Sequence, residues 1–507
     1  MKTTEIINTT TGRLKGCIED GIFVFKAIPY AEPPIGNLRL SAPVPISPWD
    51  GVFEALQFGP EFFQPYNINT PRPRPPQSEE DSLTLNIWTP GIDNKRRPVM
   101  FWIHGGAFIY GSGTRAIYHG KNLTRRGDVV LVTINYRLGA FANLMIPGAT
   151  PNVGMLDQIA ALEWVRDNIE NFGGNPNNVT IFGESAGGVS VCTLIAMPKA
   201  KGLFHRAISQ SGAAHPLGFI KSPLKYTTEL TLKELNIKSD NIDEFRKIPA
   251  LDIVKTTFRL EAKAFQQGLR LSHGPYIDGE YLPQHPLKAL SEGYAKDIEL
   301  IIGSNFEEAK FDYLTNPNFK ETEPEELAKR LKRSLAATVD KEYDLEKIIN
   351  TYKKSREQKN LSSKPQDILD AFDTDNRFRI PAIKFAEYQS KHQKNTYMYL
   401  FSWQLPNRFG AMHGLEIGFV FNRFFNVDIP TSPKKTEETE KLSLNMVDSW
   451  VSFSTTGDPN HEGIPKWPSY DTKNRSTIVF DKEIKIWDDP LGKERELWYG
   501  MNTWSRY

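Results

Sequence analysis

An apolar run, Val179-Thr180-Ile181-Phe182, breaks into Gly183-Glu184-Ser185-Ala186-Gly187-Gly188 and then into an apolar helix, and nothing else in the 507 residues constrains the fold as tightly. The pattern reads as a strand that turns sharply into a helix with Ser185 at the turn, a nucleophile elbow. A serine hydroxyl attacks poorly at neutral pH unless it is held clear of the backbone, beside a base and facing donors for an oxyanion. Such a turn strains the backbone at Ser185 and crowds the positions two residues either side, so Gly183 and Gly187 must lack Cβ atoms. Five residues alone also fit an inert glycine-rich turn; the strand before, the helix after and partners elsewhere make the pattern specific.

Around this turn the chain alternates strands and helices. Residues 98–103 and 129–136 are near-continuous apolar runs, as expected of central strands buried on both faces, and 83–88 reads as another strand. Leu156, Ile159, Ala160, Leu162, Trp164, Val165 and Ile169 recur at helical spacing before Gly173-Gly174-Asn175-Pro176 turns the chain into the elbow strand. Strand, helix, strand, helix implies right-handed crossovers and a mostly parallel sheet. Residues 12–16 and 21–25, separated by Glu19-Asp20-Gly21, read as an antiparallel hairpin at a sheet edge. Residues 207–212, 298–303 and 397–401 continue the sheet, interrupted by charged, helix-prone insertions near 223–254 and 323–385. No repeat or low-complexity linker divides the chain, so a single domain over residues 1–507 is expected.

A nucleophile elbow belongs to the α/β-hydrolase fold, in which the triad follows the chain order Ser, acid, His. The fold expected is therefore α/β, with a large, mostly parallel central sheet, helices on both faces and helical insertions. Three histidines come late enough to be the base. His392 sits in a charged run and His461 in a polar turn cluster, whereas His413 lies between Phe409-Gly410-Ala411-Met412 and Gly414-Leu415-Glu416-Ile417, whose small and apolar residues pack tightly; a plain core role is the rival reading. The acid belongs on a loop after a buried strand, and Glu307 and Glu308 follow residues 298–303; pattern alone does not choose between them. After residues 101–103 comes His104-Gly105-Gly106-Ala107-Phe108, where Gly105 and Gly106 allow the chain to aim its amides. The N–H groups of Gly106, Ala107 and Ala186 would form the oxyanion hole.

These residues, in this order, resemble the type-B carboxylesterase family, which includes cholinesterases and, closest to this chain, bacterial para-nitrobenzyl esterases. The resemblance runs from Phe25-Lys26-Ala27-Ile28-Pro29-Tyr30 through Glu80-Asp81-Ser82-Leu83, Asn135-Tyr136-Arg137, Leu156-Asp157-Gln158, the elbow and Ser209-Gln210-Ser211-Gly212 to Thr456-Gly457-Asp458-Pro459. It implies Ser185 as nucleophile, His413 as base and Glu308 as acid. It also implies Glu184 as a carboxylate tuning the site, Ser211 as a serine that hydrogen-bonds toward the triad, and Arg39 with Glu80 as a structural ion pair. Ser82 stands where the family often has a bridged cysteine, so the Pro-rich stretch 69–76 is expected to be unpinned. Residues 62–81 contain no Trp to hold a quaternary ammonium, which argues against choline esters, and Ala309 replaces the usual Gly after the acid.

The reading is a carboxylic ester hydrolase that forms an acyl-enzyme on small, largely apolar esters, with Phe108, Phe62, Phe63, Phe311, Tyr313 and Phe409 as candidate pocket aromatics. A carbamate or amide hydrolase would carry the same triad. A non-catalytic binding protein on this scaffold would lack the nucleophile, and Ser185, Glu308 and His413 are all present. With 62 Lys and Arg against 61 Asp and Glu, no field draws nucleic acid or an anionic membrane. No metal and no organic cofactor is implied. The first residues lack a signal-peptide core and no later run is apolar for long enough to span a bilayer, so a soluble, cytoplasmic protein, plausibly monomeric, is expected. Cys17 and Cys192 lie in dissimilar contexts and are not expected to bridge.

Overall fold

In the computed structural model the described residues are 2–66, 75–215, 219–238, 240–267, 269–315, 319–336, 343–406, 408–424 and 432–501. The Pro-rich stretch 69–76 lies outside them from 69 to 74. The chain forms two compact units, Met1–Ala207 with Phe219–His285, and Ile208–Gly218 with Pro286–Tyr507.

The first unit is built on β1 (Lys2–Thr9), β2 (Gly12–Glu19), β3 (Ile22–Pro29), β4 (Thr84–Thr89), β5 (Arg97–Ile103), β6 (Val130–Ile134) and β7 (Gly174–Glu184), in the order β1-β2-β3-β4-β6-β5-β7. The pairs from β1 to β6 are antiparallel, and β5 runs parallel to both β6 and β7. Burial follows position in the sheet: the interior strands β4 and β6 are buried at every position, whereas β1, at the edge, buries only every third residue or so. The expected hairpin is β2–β3, and its two-residue turn places Asp20 at φ 49° and Gly21 at φ 85°, the left-handed pair that a tight hairpin needs. The sequence reading missed β1 itself, whose Lys-Thr-Thr-Glu opening has little apolar content.

Helix α1 (Val153–Asn168) starts three residues ahead of the apolar periodicity, and α2 (Ala186–Leu194) follows the elbow. A buried ion pair fixes α1: Arg137 Nη2 lies 2.6 Å from Asp157 Oδ1 and its Nε 2.8 Å from Oδ2, while the Arg137 amide also donates to Oδ2. Arg137 Nη1 donates to the carbonyl of Ser41, so the pair ties the helix to the segment before β4. The first insertion comprises α3 (Lys221–Glu234), α4 (Ile242–Lys247) and α5 (Ala250–Gln266), and so runs past residue 254. Arg39 holds the C-terminal end of α4, donating from Nη1 to the carbonyls of Phe245, Arg246 and Ile248, a favourable place for a cation. Its anion is Glu79, 2.6 Å from Nη2, and not the expected Glu80. Ser78 Oγ accepts the amides of Glu80 and Asp81 in a turn that leaves Glu80 exposed and Glu79 half-buried.

In β8 (Arg206–Gln210) the chain passes from the first unit to the second. The second unit carries β9 (Glu299–Asn305), β10 (Thr396–Phe401), β11 (Ser476–Phe480) and β12 (Lys485–Asp488); β9, β10 and β11 are parallel neighbours and β12 closes the edge antiparallel. The second insertion holds helices Pro324–Ala336, Leu345–Gln358, Pro365–Thr374 and Ile380–Ser390, with a π-helical turn, Asp375–Arg379, between the last two. The class is α/β, as the strand–helix alternation predicts. Among the described residues no helix is long and apolar enough to cross a membrane, and Cys17 and Cys192 are buried free thiols.

Because Asp157 is the counter-charge of a fully buried guanidinium, Asp157→Asn should cost about 3–5 kcal/mol. The check is the urea midpoint, which should fall well below that of a surface control such as Asp167→Asn.

Candidate active site

Strand β7 is buried from Val179 to Glu184 and ends at Ser185, whose φ of 57° and ψ of −122° lie outside the strand and helix regions. Holding a non-glycine residue there costs on the order of 1–3 kcal/mol, which the surrounding packing must supply. That packing is visible at the two glycines. A Cβ at Gly187 would lie 2.0 Å from the Ile103 carbonyl oxygen, and one at Gly183 would lie 2.6 Å from the Gly187 carbonyl carbon. The Ser185 carbonyl starts α2 by accepting the Val189 amide at 2.9 Å.

The loop after β5 lies against this turn. A Cβ at Gly105 would stand 2.6 Å from the Glu184 carbonyl oxygen, 2.9 Å from its Oε2 and 3.0 Å from Ser185 Cβ, so only glycine lets the loop approach. Gly106 at φ 119°, Ala107 at 54° and Phe108 at 60° then turn the backbone through three consecutive positive φ values. Among the described residues the amides of Gly106, Ala107 and Ala186 donate to no protein acceptor. Both ends of the loop are clamped. Gln64 donates to the Gly111 carbonyl and accepts the Gly111 amide, each at 2.8 Å, and the Gly139 amide donates to the Phe108 carbonyl at 2.7 Å.

His104, at the start of the loop, stacks on Tyr136 with ring centroids 4.4 Å apart, and Tyr136 Oη donates to the His104 carbonyl. His104 Nδ1 donates to the Gly105 carbonyl at 2.9 Å, which leaves Nε2 as the unprotonated nitrogen, buried and without a hydrogen-bond partner. Burial holds its pKa down to about 3.

In the second unit β9 delivers the two adjacent glutamates to different tasks. Glu308 Oε2 lies 2.6 Å from His413 Nδ1, and Oε1 accepts the Asn305 amide at 2.7 Å. Glu307 instead binds Lys310 at 2.7 Å and accepts the Ala411 amide at 3.0 Å, clasping the loop that bears the histidine. Gly410, at φ 52°, makes the clasp possible, since a Cβ there would lie 1.9 Å from Glu307 Oε2. A carboxylate at this contact accepts, so the neutral His413 ring carries its proton on Nδ1 and presents the Nε2 lone pair. Phe378, carried on the π-helical turn, and Phe311 flank the imidazole at 4.7 and 5.6 Å between centroids.

A buried carboxylate missed in the sequence reading completes this half. Glu416 accepts from Gln210 Nε2 at 3.1 Å and from Asn305 Nδ2 at 2.6 Å, and Trp450 Nε1 orients Gln210 by donating to its Oε1. Burial, then repulsion from Glu308, raises its pKa against the pull of those two amides. Its only sequence signal is an acidic residue three places after His413 in an otherwise apolar run.

Other candidates fall elsewhere. Ser211, at φ 51°, donates its amide to the Gly303 carbonyl, but its buried Oγ has no hydrogen-bond partner, so the expected bond toward the triad is not formed. Of the candidate aromatics, Phe62 packs edge-on to Phe141 in the core of the first unit, and Tyr313 hydrogen-bonds Asp370 in the second. His392 is exposed beside the Ser291 carbonyl, and His461 bonds Ser449 and the Asn445 carbonyl. Among the described residues no group of three or more His, Cys, Asp and Glu side chains is placed to hold a metal ion.

The Carboxylesterase family model matches residues 3–498. The chain is 36% identical over 503 residues to the para-nitrobenzyl esterase of Bacillus subtilis (strain 168), covering 97% of this chain and 98% of that protein. It is 32% identical over 501 residues to the phenmedipham hydrolase of Pseudarthrobacter oxydans, covering 95% and 96%. Among solved structures, the carboxylesterase EST55 of Geobacillus stearothermophilus matches with a TM-score of 0.87 at 37% identity, covering 98% of this chain and all of that one.

His104 carries a pH signature. An unfolded histidine titrates near 6.5 and the folded one near 3, so between those values the unfolded chain binds the extra proton. Its contribution is whole above about pH 6.5 and shrinks as pH falls toward 3, by at most about 1.4 kcal/mol per unit. Thermal midpoints measured from pH 7 down to about 4 should fall less steeply for His104→Gln than for the wild type.

Proposed function

The chain belongs to the carboxylesterase family and is an ester hydrolase of the serine type, and from that premise we propose that Ser185, His413 and Glu308 are its catalytic triad, working through an acyl-enzyme on small, largely apolar esters. The observation that carries the assignment is the 2.6 Å contact between Glu308 Oε2 and His413 Nδ1, which sets the tautomer a base requires. The strained Ser185 and the three amides turned out of secondary structure support it from the other half. On this reading residues 1–507 act as one catalytic domain.

His413 Nε2 takes the proton from Ser185 Oγ as the oxygen attacks the ester carbonyl. Glu308 stabilises the imidazolium that results. The oxyanion is held by the amides of Gly106, Ala107 and Ala186, and Gly105 lets those donors come close. Collapse of the tetrahedral intermediate breaks the bond to the alcohol oxygen, which takes the proton from His413. A water then gives its proton to the same nitrogen and attacks the acyl carbon, and the proton returns to Ser185 as the acid leaves. Glu184, buried beside the nucleophile, adds a negative charge that favours the imidazolium. Phe108 next to the oxyanion loop, with Phe311 and Phe378 around His413, favours apolar acyl and alcohol groups over charged ones. Two buried free thiols support a reducing, cytoplasmic setting.

The test pairs a fluorophosphonate probe, located by peptide mapping, with hydrolysis of short para-nitrophenyl esters. A single adduct on Ser185 is expected, together with a loss of kcat of about 10⁴-fold or more in Ser185→Ala. An adduct elsewhere, or turnover that survives Ser185→Ala, would overturn the assignment. The two glutamates should separate: Glu308→Gln should lower kcat by about 10³–10⁴-fold with little change in fold, as expected when an imidazole loses its orienting carboxylate. Glu307→Gln should chiefly lower the thermal midpoint. Matched para-nitrophenyl esters and anilides should show faster turnover of the ester.

A further inference from the structure

Helix α5 is apolar on two faces. Ile253, Val254, Leu260 and Ala264 are buried, packing the helix onto its own unit. On the outward face Leu251, Phe258 and Phe265 are 52, 51 and 45% exposed. They are seven residues apart, so they line up along the helix about 10.5 Å from one to the next. Lys255 and Ala262 fill the line between them, and Leu251, Lys255, Phe258, Ala262 and Phe265 follow the alternating four-and-three spacing of a helix–helix seam. Surface helices normally turn such a stripe inward, and a helix apolar all round is a buried one.

We propose that this seam docks a second copy of the chain, α5 against α5, antiparallel about a two-fold axis at Phe258. In that register Phe258 meets its own counterpart, Leu251 meets Phe265 of the other copy and Phe265 meets Leu251, so one patch satisfies itself as an isologous contact requires. The charges agree. The same register sets Lys255 opposite Glu261, and the two-fold repeats the pair. Within one chain Lys255 and Asp252 are 3.8 Å apart and exposed, and the partly exposed Glu261 is held in place by His273 at 2.6 Å. Arg259 is taken by Glu234 at 3.3 Å. A band of mixed sign fits a copy of itself better than an anionic lipid surface, which would favour uniformly basic flanks. Three half-exposed large side chains supply roughly 300 Å² a side. That is well under the roughly 800 Å² per partner of a standard stable interface, so the dimer is weak and concentration-dependent.

The test is sedimentation velocity from about 1 to 200 μM, a range that brackets a micromolar dissociation constant. Wild-type protein should shift from monomer to dimer across it. Phe258→Glu should stay monomeric while keeping wild-type circular dichroism and ester turnover, because the side chain is half-exposed. Lys255→Glu and Glu261→Lys should each raise the dissociation constant several-fold, and the double variant should restore it. A wild type that is monomeric throughout overturns the proposal. So does a dimer that Phe258→Glu leaves intact, or a monomer that sediments with vesicles of anionic phospholipid.

Discussion

Much of the first unit depends on one close approach. The carbonyl of Ile103, at the end of β5, sits where a side chain on Gly187 would have to be. Because β5 and β7 are parallel neighbours in register from Val99 to Ile103, that contact is set by the sheet itself. The elbow is thereby pressed against the end of β5, and the chain leaving β5 must pass within van der Waals reach of Ser185. Gly105 answers that crowding, and the three positive φ values that follow are the path the backbone takes to clear it. A strained serine and a row of turned-out amides are two results of one packing constraint.

The second unit works by a different economy. It gathers three carboxylates, Glu307, Glu308 and Glu416, around the loop of one histidine, and it keeps each one solvated by protein. Glu308 takes a backbone amide and the imidazole, Glu307 an ammonium and an amide, and Glu416 two side-chain amides. Asn305 bridges two of them, serving Glu308 from its backbone and Glu416 from its side chain. Such a network is stiff because moving any member strips hydrogen bonds from a buried charge, which is costly in a low-dielectric interior.

The strands buried on both faces, the elbow, the loop after β5 and the histidine were all legible in the sequence, because each is written in local terms: an apolar run, a pair of glycines, small neighbours. What was not legible depends on burial decided elsewhere. Glu307 and Glu308 are equivalent as sequence, and their division follows from the short turn that begins at Glu308 and from a glycine a hundred residues away. The partner of Arg39 shifted by one residue because Ser78 sets the turn. β1, β11, β12 and helix Glu437–Thr456 went unread: β1 and β12 carry few apolar residues, the apolar run of β11 is only Ile478-Val479-Phe480, and the helix is of mixed polarity, so each declares itself only once its neighbours are placed.

The clasp at Gly410 bears on how this scaffold can be engineered. Glu307 fastens the backbone two residues before His413, so the length of the segment from 411 to 413 is fixed as firmly as the identity of the histidine. Insertions, deletions or loop grafts there would detach His413 from Glu308. Libraries that aim to vary this region belong instead at Phe311 and Phe378, whose rings flank the His413 imidazole while the hydrogen-bonded frame stays untouched.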